Sequence, residues 1–333
     1  VLQEVVLLLA ERGPGPARIS TVELANAEEL IELDLRELEA DRPSLLDGEK
    51  WTKYFLNADQ IELVRAVRQD VRLSTLGEFA SVDVGVVTGR NSFFVLSPED
   101  ASSRGITDIS IPIVTRSAQL RGIILDSGDV EYGSSVEKRM VLLDAKGIDV
   151  EAHPALKRYV REGEEFGVHE GYKCRTRKVW WQVPSIWQAD AFMLRQIHNY
   201  PRLTADPERA TSTDTVHRIR MLSGDPVLLA TAFTNSATFA FSEVLGRSYG
   251  GGLLELEPTE AEALPIPNPD LVPNGLPKKV DELLKTGKVE EALDLVDQEL
   301  LVKRLGFDPV EVSRLRDCWI QLRDRRQNRG RST

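Results

Sequence analysis

Ser81-Val82-Asp83-Val84-Gly85-Val86-Val87-Thr88-Gly89-Arg90-Asn91-Ser92-Phe93-Phe94 is the stretch on which the fold reading turns. Val82, Val84 and Val86 alternate with Ser81, Asp83 and Gly85, the period-2 pattern of a half-buried strand. Thr88-Gly89-Arg90-Asn91 then turns the chain before the apolar run Phe93-Phe94-Val95-Leu96. Outward from this stretch, between about 74 and 270, short β-branched runs are broken by Gly, Pro, Asn and Ser. Helical spacing returns only locally, at 154–162 and 224–234. The pattern predicts an α+β fold, a mixed domain on antiparallel strands with inserted helices and without regular βαβ alternation.

On the N-terminal side, residues 57–70 read as a helix. Asn57 can cap it, Gln60 falls at the capping-box position, and Ile61, Val64 and Val67 form one stripe. The chain opens with Val1-Leu2-Gln3-Glu4-Val5-Val6-Leu7-Leu8-Leu9-Ala10, an apolar run of the kind buried on both faces in a parallel sheet. One such strand cannot fill a core. It suggests a processed N-terminus or, the preferred reading, a fragment of a longer protein. The acidic run from Glu28 to Asp34 reads as a solvated face.

On the C-terminal side, prolines from Pro265 to Pro277 predict a stiff connection. Val289, Ala292, Leu293, Val296 and Leu300 then line one helix, which Gly306 stops. Asp308, Pro309 and Glu311 start a last helix carrying Val312, Leu315, Trp319 and Leu322, and the basic tail Arg323 to Arg331 is expected to fray. Three regions result: 1–42, the remnant of an α/β domain; 43–270, the mixed domain; and 271–333, a small helical region with a basic tail.

Composition narrows the function. The 333 residues are 41% hydrophobic and 29% charged, which excludes wholesale disorder. No apolar run is long enough for a membrane span, and no signal-peptide pattern opens the chain. Two distant cysteines, Cys174 and Cys318, exclude a disulfide framework and suit a reducing cytoplasm. A net charge of −11 argues against a histone-like protein but leaves room for a local basic groove.

No G-x-S-x-G elbow, P-loop or Rossmann fingerprint is present. The densest cationic segment is Lys173-Cys174-Arg175-Thr176-Arg177-Lys178-Val179-Trp180-Trp181-Gln182-Val183-Pro184. As a strand it would turn Lys173, Arg175 and Arg177 to one face, a basic row beside tryptophans that suits nucleic acid. A charge-guarded strand edge with Trp180 or Trp181 in the core explains the same residues. Gly250-Gly251-Gly252 allows close backbone approach to phosphate, or simply a tight turn before a strand. Asp214 and His217 lack a partnered nucleophile, so catalysis there is not expected.

Three ordered segments carry a resemblance. They are Val84 to Phe94, Lys173 to Pro184, and Gly246-Arg247-Ser248-Tyr249-Gly250-Gly251-Gly252 followed by Leu264-Pro265-Ile266-Pro267. Together they resemble the C-terminal, target-recognising half of adenine-specific DNA methyltransferases with a TaqI-like specificity domain, from bacterial restriction–modification systems. The resemblance covers roughly 45–270 and implies that 43–270 recognises double-stranded DNA and that 1–42 is the end of the catalytic domain. It also implies a cytoplasmic, nucleoid-associated protein. That family's Asn-Pro-Pro-aromatic motif and its S-adenosylmethionine loop are missing; the lone Asn268-Pro269 continues as Asp270. S-adenosylmethionine is therefore expected for the full-length enzyme and not for this chain, and no catalytic or metal-ligating residue is assigned.

Lys173, Arg175, Arg177 and Lys178 are the expected phosphate or guanine contacts, with Trp180 packing on sugar or base. Arg90 and Asn91 are placed to reach base edges. Arg247, Tyr249, Gly250 and Gly251 are candidates for the DNA backbone. The alternative is a specificity subunit that docks a separate methyltransferase or nuclease, using the Val312, Leu315, Trp319 and Leu322 stripe unless that stripe is core. A carboxylate-dependent hydrolase is a third option, but no carboxylate pair stands out.

Overall fold

Val82 and Val86, four residues apart in the chain, are buried in two different hydrophobic cores. A computed structural model describes residues 49–328 except 127–129 and 133–134, together with 7–10, 18–22, 24, 26–34 and 44. The larger core is built on a four-stranded antiparallel sheet, in the order Leu203–Ala205, Ala191–Leu194, Val216–Met221, Ala80–Asp83. Ile219 lies opposite both Val82 and Ala191, which sets the register of three of the four strands.

The predicted helix forms over Ala58–Arg68, with Asn57 and Gln60 exchanging both capping-box hydrogen bonds. Ile61, Val64 and Val67 are its buried stripe, as the spacing requires. Pro226–Phe233, Ser236–Leu245 and Pro309–Asn328 pack into the same core, where the Phe239 and Trp319 rings meet edge to face at 5.2 Å.

The smaller core rests on strands in the order Thr211–Ser212, Ser110–Val114, Met140–Leu143, Val95–Leu96. The first pair is parallel and the other pairs are antiparallel. Helix Pro154–Glu165 covers it through Leu156, Tyr159 and Val160, and starts where His153 Nδ1 accepts from Leu156 N at 3.1 Å. The α+β architecture on mainly antiparallel strands is thus present.

Several local expectations need correction. The strand from Ala80 stops at Asp83, and Val84 is exposed. A Cβ on Gly85 would lie 1.9 Å from Thr213 O, so the chain is squeezed past another backbone as it changes cores. Alternation cannot continue through such a crossing. Asn91–Phe94 is a single helical turn, after which Val95–Leu96 joins the sheet.

Pro265–Pro267 is buried and pairs with Leu73–Thr75 instead of running as an exposed spacer. Residues on both sides of 270 share the larger core. The last helix runs to Asn328 without fraying, because Arg326 is buried there against Glu243. Val312, Leu315, Trp319 and Leu322 are buried in that same core, so the stripe is not free to dock a partner. Of the opening strand, residues 1–6 lie outside the described residues, and Leu7, Leu8 and Leu9 are exposed in no regular element. Residues 329–333 also lie outside. The acidic run carries the exposed helix Ala27–Glu32, the solvated face its charges imply.

Candidate nucleic-acid interface

The basic segment is not a strand. Tyr172–Arg175 forms one helical turn, closed by Arg175 N donating to Gly171 O at 2.9 Å and Arg177 N to Cys174 O at 3.1 Å. Cys174 is fully buried and pins this turn to the smaller core. Local hydrogen bonds after Gly171 replace ladder pairing, so Lys173, Arg175 and Arg177 do not share one face.

Arg177 turns inward. Its Nη2 donates to Thr88 O at 2.6 Å and to Val87 O at 3.0 Å, and its Nη1 donates to Trp180 O at 3.3 Å. The guanidinium carbon lies 5.4 Å from the Phe94 ring centroid. Partial burial pulls its pKa below the ordinary arginine range. Arg177 therefore joins the 172–180 loop to the 87–91 turn.

The junction is tight at Gly89. Its φ is +82°, and an added Cβ would lie 2.7 Å from Lys173 Cβ. Only glycine combines that conformation with that approach. Thr88 Oγ1 accepts from Arg90 N at 3.2 Å and donates to Asn91 Oδ1, which sets the turn. Arg90, Asn91, Lys173, Arg175 and Lys178 are left exposed. Among the described residues, none of these four cations pairs with a carboxylate. In a chain of net charge −11, exposed cations such as Lys288 and Lys303 pair with nearby carboxylates; these four do not.

Trp180 belongs to the smaller core. Its ring packs against Phe93 at 5.4 Å and Trp181 at 5.9 Å, and Nε1 donates to Glu164 at 3.4 Å. A Cβ on Gly163 would lie 2.5 Å from Trp180 Cη2, which shows how closely the indole is held.

The third segment sits on the larger core. Arg247–Tyr249 pairs with Leu253–Glu255 around the turn Gly250–Gly252, where Gly251 has φ +76°. Arg247 Nε donates to Glu260 at 3.0 Å, so its charge is already matched. Burial pushes the Glu260 carboxyl up, but hydrogen bonds from Lys50, the Glu257 N–H and Arg247 hold it below the usual range. Gly252 O accepts from Arg326, and a Cβ on Gly252 would lie 3.1 Å from Gln327 Cα. The glycine run is thus a turn seated on the last helix. Tyr249, Gly250 and Gly251 remain exposed.

Sequence reasoning missed two buried arginines. Arg218 donates through Nη2 and Nε to Val84 O at 2.8 and 3.1 Å, and through Nη1 to Ser185 O at 2.8 Å. It ties together two crossings between the cores, and burial lowers its pKa to about 10. Alternation in Val216-His217-Arg218-Ile219 offered no sign of this, since charged residues normally take the solvent face. Arg326 is the other. His217 is buried too, with Nε2 2.7 Å from Leu256 O, and burial lowers its pKa. It therefore forms no acid–base pair with Asp214. Asn268 Oδ1 accepts from Asp270 N at 3.0 Å, so the Asn-Pro pair caps a turn and does not fit a site for a methyl-accepting adenine.

Residues 48–301 match the family described as the C-terminal domain of the type II methyltransferase M.Eco57I. The type II methyltransferase M.XamI of Xanthomonas campestris pv. amaranthicola is 24% identical over 200 residues, covering 58% of this chain and 36% of that protein. The crystal structure of the type IIG restriction endonuclease BpuSI matches 83% of this chain with a TM-score of 0.52 at 11% identity, a likeness of fold. The chain spans 36% of the curated relative and 34% of the solved enzyme. Because the family match spans most of its length, the chain belongs to the M.Eco57I C-terminal-domain family, a type II methyltransferase-related domain of restriction–modification.

Proposed function

We propose that this member of the M.Eco57I C-terminal-domain family recognises double-stranded DNA for an adenine-specific methyltransferase. Methyl transfer would depend on S-adenosylmethionine held by a catalytic region outside this chain. One observation carries the reading: the clamped 87–91 and 172–178 loops present Arg90, Lys173, Arg175 and Lys178 without carboxylate partners among the described residues. Unmatched cations on a rigid surface of an acidic protein favour a polyanion, and Arg and Asn at a turn tip suit guanine and adenine edges. Arg177 and Trp180 act from behind as positioning residues.

Fluorescence anisotropy with a labelled duplex tests this. Four phosphate contacts give a log–log salt slope of about −3 to −4. Replacing Arg90, Lys173, Arg175 and Lys178 together by Ala should flatten that slope while the circular dichroism spectrum stays unchanged. Affinity indifferent to salt, or a slope unaltered in the quadruple variant, refutes the proposed surface.

A further inference from the structure

The 166–175 segment shows two aromatic rings to solvent, Phe166 at 74% and Tyr172 at 67% exposure. Its backbone is firmly held. Phe166 N donates to Glu162 O at 3.0 Å, Gly171 N to Val168 O at 3.2 Å, and Val168 and Cys174 are buried beneath it. A ring displayed from an anchored loop loses little conformational freedom when it meets a ligand.

Four aromatic rings are exposed among the described residues: Trp51, Phe166, Tyr172 and Tyr249. Trp51 is flanked by Lys50 and Lys53, and Tyr249 lies two residues from Arg247, but Glu260 and Glu49 neutralise those three cations. Phe166 follows Glu164 and Glu165, and the Glu170 carboxylate lies 3.4 Å from where a Gly167 Cβ would be. That carboxylate cluster repels phosphate. Tyr172 differs. Lys173 Nζ lies 5.9 Å and Arg175 Cζ 5.6 Å from its ring centroid, and neither cation has a carboxylate partner among the described residues.

We propose that Tyr172 is a stacking site for an unpaired nucleobase, with Lys173 and Arg175 taking the phosphates on either side of it. The proposal rests on the DNA-binding reading and adds a preference for DNA in which one base has left the helical stack. An aromatic face accepts any base, and flanking cations supply the charge that a single-strand site needs. Both cations lie over the ring, in long cation–π contacts that a stacking base would displace as they turn to its phosphates.

The test compares a fully paired duplex with the same duplex carrying a central adenine bulge, both titrated with the 333-residue chain. The parent should prefer the bulged duplex by about tenfold, the scale of one base–aromatic stack. Tyr172→Ala should lose that preference while still binding the paired duplex, whereas Tyr172→Phe and Phe166→Ala should keep it. Equal affinity of the parent for both duplexes overturns the proposal, as does a preference that survives Tyr172→Ala or disappears in Phe166→Ala. If neither duplex is bound in a salt-dependent way, the DNA-binding reading itself fails and the stacking site with it.

Discussion

Arg177→Met separates a positioning arginine from a DNA-contacting one. The native guanidinium serves three carbonyls, at 2.6, 3.0 and 3.3 Å, on both loops of the interface. Hydrogen bonds from a charged donor contribute about 1.5–3 kcal/mol each, and water reaching this half-buried site replaces part of what is lost. Methionine keeps the aliphatic packing near Phe94 and supplies no donor. The expected destabilisation is about 2–4 kcal/mol. Urea unfolding should show a lower midpoint with an unchanged m-value. Duplex DNA binding should weaken for all sequences alike, because the 87–91 turn loses its support. The salt slope should hold, since no phosphate contact disappears. Were the variant as stable as the parent and its slope smaller by about 0.9, Arg177 would be facing phosphate and the reasoning would be wrong.

Arg326 and Glu243 form a buried bidentate pair, at 2.7 and 3.0 Å, each about 2% exposed. Arg326→Met strands a buried carboxylate and should cost about 3–5 kcal/mol, whereas changing both residues to Met should recover most of it. The loss in the single variant should shrink from pH 8 to pH 5 as Glu243 takes up a proton; a loss independent of pH speaks against a stranded charge. Burial raises the Asp206 pKa to about 6, against 3.8 for the free side chain, although the N–H groups of Ala210 and Glu208 donate to it. The native state therefore holds this proton more tightly than the unfolded chain. Its stabilising effect is full below about pH 4 and lost as pH rises through about 6. Relative to Asp206→Asn, the parent should lose about 2–3 kcal/mol across that window in denaturant titrations, and parallel pH profiles for the two proteins would contradict the assignment.

The sequence by itself determined whatever depends on neighbours along the chain. Asn57 with Gln60, and Asp308 ahead of Pro309, mark helix starts, because a cap bonds N–H groups two or three residues on. The α+β class was legible for the same reason. Stripes such as Ile61, Val64 and Val67 showed which helix face is buried, though not against what.

Only the tertiary structure decided how the cations divide. Lys173, Arg175 and Arg177 look alike in sequence, yet Arg177 turns inward because carbonyls of Val87 and Thr88, about ninety residues away, converge on it. Arg218 and Arg326 are buried for the same kind of reason, each meeting acceptors more than eighty residues distant. A short basic segment satisfies a period-2 pattern and a helical turn equally well, so periodicity could not choose between them. The choice fell to Cys174, whose burial in the smaller core fixes the turn and leaves Lys173, Arg175 and Tyr172 outside. Charge is a property of the residue; whether it is matched depends on which distant groups the fold brings within a few ångströms.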